Sequence, residues 1–141
     1  MKREKLLKLE PLAGIAPTFC LKEFKYDGNV LLNVQDQNHK SAPILTIYFE
    51  DPYTLRVTGK HAKPIDSYDL DETLINIEQD QNYDFKWSLF KVENSRYLEW
   101  FHEQCVGLKR NLDIAHYLIK TPNETIEVLD INNSSPTLMW Y

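Results

Sequence analysis

The feature that most constrains the fold is a period-two alternation of apolar and polar residues, interrupted by turn signals and repeated along much of the chain. Phe24 and Tyr26 flank Lys25 ahead of Asp27-Gly28, and Val30, Leu32 and Val34 alternate after it. Asp-Gly suits the positive φ angles of a tight type I′ turn, so these two arms are expected to pair antiparallel. Ile44–Phe49 and Tyr53–Thr58 form a second expected pair around Glu50-Asp51-Pro52, with Tyr53, Leu55 and Val57 on one face. Phe85, Trp87 and Leu89 predict a strand ending at Val92. Ile114, His116 and Leu118 alternate with Ala115, Tyr117 and Ile119, and the chain returns through Ile126 and Val128 after Thr121-Pro122-Asn123-Glu124.

One segment breaks the alternation. Asn94 or Ser95 offers an N-cap oxygen to SRYLEWFHEQCVG, where Tyr97, Leu98, Phe101 and Cys105 make an apolar stripe and Gly107 suits a left-handed C-terminus. A helix over about 95–106 is predicted, its stripe facing the sheet. The stretch from Asp66 to Asp84 fits a helix through Leu70, Leu74 and Ile77 or a strand through Ile75 and Ile77; a strand is preferred. Leu138-Met139-Trp140-Tyr141 is an apolar end expected to dock on the body. The predicted class is α+β: mainly antiparallel sheet with one principal helix packed on it, in a single domain over 1–141.

Composition narrows the functional classes. The chain has 141 residues, 43% of them apolar, enough for a packed core. A net charge of −5 argues against a generic nucleic-acid binder. No uncharged apolar run approaches the ~18 residues of a membrane helix. Lys8 and Glu10 interrupt the leucines of the N-terminus before a secretory apolar region could form, so a cytoplasmic protein is expected. Cys20 and Cys105 match no metal or redox spacing and read as reduced thiols. Asn123-Glu124-Thr125 and Asn132-Asn133-Ser134, which match the glycosylation pattern, then mean only polar loops.

Motifs with chemistry are scarce. His102-Glu103 begins like a zinc-protease helix, but Val106 stands where the second histidine is needed. His102 therefore reads as an exposed helix residue. His116 could act as a base with Asp113 or Glu127 nearby, although a structural histidine is the commoner case. No nucleophile elbow, phosphate loop or dinucleotide fingerprint is present, and the acids of 66–72 lack the glycine of a calcium loop. No catalytic residue, metal ligand or cofactor is assigned.

Residues 87–131 carry Trp87-Ser-Leu-Phe-Lys-Val-Glu-Asn-Ser-Arg-Tyr-Leu-Glu-Trp-Phe-His-Glu, then Asp113-Ile-Ala-His-Tyr-Leu-Ile-Lys-Thr-Pro-Asn and Ile126-Glu-Val-Leu. This text resembles small cytosolic proteins of Gram-positive bacteria, some of them suspected antitoxins of secreted or contact-dependent toxins. The resemblance implies an immunity-type role and transfers no functional residue.

The primary reading is a non-catalytic cytosolic protein-binding module, of immunity type. Its contact surface would be the segment from Asp66 to Asp84, which carries seven acids and no Lys or Arg. Asp66, Asp69, Asp71 and Glu72 would face a basic protein partner. A second reading is a small enzyme or ligand-binding protein with a pocket near His116, Tyr117 and Trp100. The third is a subunit of a homo-oligomer.

Overall fold

A computed structural model describes residues 4–9, 19–38, 41–59, 89–132 and 136–140. Two antiparallel sheets pack face to face. The larger contains β1 (Lys5–Lys8), β6 (Leu89–Glu93), β7 (Ile114–Lys120), β8 (Glu124–Ile131) and β5 (Thr54–Gly59), side by side in that order. The smaller runs β2 (Phe19–Tyr26), β3 (Val30–Asp36), β4 (Ile44–Phe49) and β9 (Thr137–Trp140). Helix α1 (Arg96–Gln104) lies on the outer face of the larger sheet. The class is α+β, dominated by antiparallel sheet.

The period-two pattern dictates where the core sits. Val30, Leu32 and Val34 of β3 and Leu45, Ile47 and Phe49 of β4 meet Tyr117 and Ile119 of β7 and Ile126 and Val128 of β8 between the sheets. Phe49 and Tyr117 touch across the gap with ring centroids 5.4 Å apart. Each such side chain contributes about 1.5–3 kcal/mol by leaving water. On the opposite face, Ile114 and Leu129 receive Tyr97 and Phe101 of α1, with Leu98 and Cys105 packed beside them. Of the predicted stripe, Tyr97 and Phe101 are buried and Leu98 and Cys105 half-buried, and His102 is buried as well. Because β7 is covered on both faces, all six residues of Ile114–Ile119 are buried.

Several expectations are corrected. The first hairpin pairs Tyr26 with Val30, so three residues rather than two make the turn, with Gly28 at φ 99°. Ile44–Phe49 and Tyr53–Thr58 are not a hairpin. β4 pairs with β3 and β9, whereas β5 pairs with β8 in the other sheet. Asp51, at φ 44°, lies in the crossing between sheets, and its N–H donates to Asn29 Oδ1 at 2.9 Å, fastening that crossing to the first hairpin. Because the strand begins only at Thr54, Tyr53 packs with the helix while Leu55 joins the inter-sheet core. His102, expected at the surface, is 8% exposed, and its Nδ1 is buried without a hydrogen-bond partner. Lys5–Lys8, an element the alternation does not signal, forms edge strand β1 against β6. The apolar C-terminal end docks as expected, β9 pairing with β4 and placing Leu138 and Trp140 against the core.

Candidate functional site

Two features combine chemistry-bearing or contact-bearing groups. The first is a polar relay beneath the helix N-terminus. Asn94, at φ 56°, turns β6 into α1, a left-handed position that asparagine tolerates better than most residues. Ser95 follows as N-cap, its Oγ accepting the Leu98 N–H at 2.9 Å. The same hydroxyl lies 2.7 Å from His116 Nδ1, and His116 Nε2 lies 2.9 Å from Glu127 Oε1. Arg56 closes the relay with a two-pronged ion pair, Nε to Oε2 at 2.7 Å and Nη2 to Oε1 at 2.9 Å. Its guanidinium sits 4.2 Å from the centroid of the Tyr97 ring, whose hydroxyl meets Thr54 Oγ1 at 2.6 Å.

Electrostatics sets the charge of Glu127. Burial alone pushes the Glu127 carboxyl up, but hydrogen bonds from His116 and Arg56 outweigh it and hold the group below its ordinary range. An ionised carboxylate only accepts, so His116 Nε2 donates to Glu127, while His116 Nδ1 and the Ser95 hydroxyl share the second hydrogen bond. The order Ser–His–Glu is that of a hydrolase triad. The His116 side chain is 1% exposed and that of Glu127 0%. Arg56 already neutralises the acid, and the serine oxygen is engaged by the helix backbone. The relay fastens the N-terminus of α1 to β7 and β8.

The second feature is the knuckle that ends the helix. Val106 N–H donates to the Glu103 carbonyl at 3.0 Å and Gly107 N–H to that of His102 at 2.8 Å, the paired bonds of a Schellman motif. Val106 occupies the left-handed position, φ 52°, and Gly107 follows at 73°. Three more backbone bonds run from Leu108, Arg110 and Leu112 to Cys105, Gly107 and Lys109, so the loop is built of consecutive tight turns. Arg110 clips it to the helix through Glu99, with contacts of 2.7 and 3.2 Å. That bond to Arg110 outweighs the opposing effect of burial and, with the charge of Arg110 adding to it, holds the exposed Glu99 carboxyl below its ordinary range. On this scaffold Val106 is 84% exposed and Leu108 81%, with Lys109 and Arg110 beside them.

The sequence-derived candidates fare unequally. Asp66, Asp69, Asp71 and Glu72 lie outside the described residues, as do the strand-or-helix stretch 66–84 and Trp87. His116 and Tyr117 do not share a pocket: His116 faces the helix, Tyr117 the inter-sheet core, and Trp100 stacks on Tyr97 at the helix surface. Burial, supported by Asp130 and Asp113, pushes the Tyr117 phenol up to about 12. Of the two acids weighed as partners for His116, Glu127 bonds to the ring, while Asp113 accepts from Asn132. Sequence reasoning missed Ser95 as a histidine partner and Arg56 as the counter-ion of Glu127. Residue parity along β5, β7 and β8 could have put Arg56, His116 and Glu127 on one face.

Cys20 and Cys105 are free thiols. Among the described residues no three His, Cys, Asp or Glu side chains gather into a metal site, and no helix is long and apolar enough to cross a membrane. Comparison with protein-family models, with curated proteins and with solved structures returns no match.

Proposed function

We propose that this chain is a cytoplasmic protein-binding module without a catalytic role, an immunity-type inhibitor whose partner is a basic bacterial toxin. The observation that carries the binding role is the knuckle at 106–108. Folding alone favours glycine at a left-handed C-terminal position and a polar residue at an exposed turn. Val106 and Leu108 satisfy neither preference: a β-branched residue there is strained, and both side chains stand in water. Such costs are commonly kept where a surface makes contact with something else. The consecutive turns and the Glu99–Arg110 clip hold the two side chains in place before binding, lowering the ordering cost of association.

The basic character of the partner rests on Asp66, Asp69, Asp71 and Glu72, which would steer it electrostatically, and the toxin reading rests on the resemblance of residues 87–131. The test is affinity capture from the native cytosol with wild-type and Leu108→Asp baits compared quantitatively. A basic protein retained by wild type and lost by the variant supports the reading. Equal retention by both baits removes the knuckle from it. For the retained partner, replacing the four acids by Asn or Gln is expected to slow association and flatten its salt dependence, with less effect on dissociation.

A further inference from the structure

β2 is the longest edge strand among the described residues, and its outer side is paired with none of them. Residues 22–26 are all exposed, Phe24 at 36% and Tyr26 at 61%, although both rings share a face with buried Leu32 and Val30 of β3. An open edge of this length, free of proline, is a template for another strand. A bulge between Leu21 and Glu23 limits the straight portion to its second half.

We propose that this edge pairs antiparallel with β2 of a second copy, in a two-fold dimer centred on Phe24. The charges select both the occupant and the register. In a two-fold antiparallel pair, residues equally far on either side of the centre face each other. Centring on Phe24 puts Glu23 opposite Lys25 of the second copy and, by symmetry, Lys25 opposite its Glu23. The two Phe24 rings then meet at the axis. Moving the centre one residue in either direction puts Glu23 opposite Glu23 or Lys25 opposite Lys25. Glu23 and Lys25 lie on the same face of the strand and already attract within one copy, their charged atoms 3.0 Å apart. In the dimer each keeps an oppositely charged partner, now across strands. Backbone groups left open on the edge become paired, giving one continuous sheet with four strands from each copy. The knuckle takes no part, so this inference stands apart from the proposed binding role.

Charge exchange tests it. Sedimentation velocity on the full chain, over a concentration series reaching the millimolar range, is compared for wild type, Glu23→Lys, Lys25→Glu and the double exchange. Wild type is expected to dimerise. Each single exchange turns two attractive cross-strand pairs into repulsive ones and weakens dimerisation about tenfold or more. The double exchange recreates two opposite-charge pairs and restores it. All four residues of these pairs are exposed, so the variants fold, which circular dichroism checks directly. A wild type that stays monomeric throughout overturns the proposal. So does a dimer indifferent to the single exchanges, or a double exchange that fails to restore association.

Discussion

Replacing Val106 by glycine should make the fold more stable. A residue other than glycine in the left-handed region is disfavoured by roughly 1–2 kcal/mol, and Val106 sits there at φ 52°. Glycine relieves this but loses more backbone freedom on folding, an opposing cost of about 0.5–1 kcal/mol. The isopropyl group is 84% exposed, so its removal sacrifices almost no burial and leaves no cavity. The balance is a gain of about 0.5–1 kcal/mol, or a rise in Tm of roughly 1–4 °C for a chain of this size. Urea denaturation monitored by tryptophan fluorescence reads the same quantity as a higher midpoint at unchanged slope. Val106→Ala serves as control: it removes the branching but keeps the left-handed strain, and should fall between wild type and glycine. A lower midpoint for Val106→Gly would refute the reasoning, showing that the valine contributes packing to the fold.

Other consequences follow from the same packing and charges. Phe101→Ala, which empties a site between α1 and the larger sheet, should cost about 3–5 kcal/mol, read as a fall in the urea midpoint. Glu127→Gln removes the charge from a largely buried ion pair with Arg56 and should cost about 3 kcal/mol at neutral pH. Because the folded-state pKa of Glu127 is depressed, its contribution is full above the unfolded value near 4.5 and is lost as pH falls through the lower folded value; the variant's stability should therefore fall less in acid than that of wild type. Tyr117, pushed up to about 12, keeps its proton in the fold where an unfolded tyrosine would lose it. Stability should decline as pH rises above about 10, and Tyr117→Phe should remove that part of the decline.

The sequence was most legible where partners are close along the chain. The hairpin around Asp27-Gly28, the β7–β8 pair around Thr121-Pro122 and the Ser95-capped helix are local structures, specified by alternation, turn residues and a cap. Legibility failed where partners are distant. The short link 50–52 looks like a hairpin turn, but β5 finds its partner in β8, where Arg56 and Glu127 pair across 71 positions. Nothing in KLLK announces an edge strand, since its partner β6 lies far downstream. The proposed pocket joining His116 and Tyr117 conflicts with strand parity, as adjacent residues of β7 point to opposite faces. The knuckle was half legible. Gly107 marked the helix end, but the left-handed valine before it follows from the Schellman hydrogen bonds rather than from residue preference.

The central claim, that the 106–108 knuckle contacts a protein partner, is tested most directly by placing a photo-crosslinking amino acid at position 108. The same group in place of exposed Asn123, in the β7–β8 turn, is the control. After irradiation in the native cytosol, a single discrete adduct from position 108, absent from position 123, is the predicted result. The adduct should also disappear when Val106→Asp is combined with the crosslinker. Identical adduct patterns from the two positions, or none from position 108, would contradict the account.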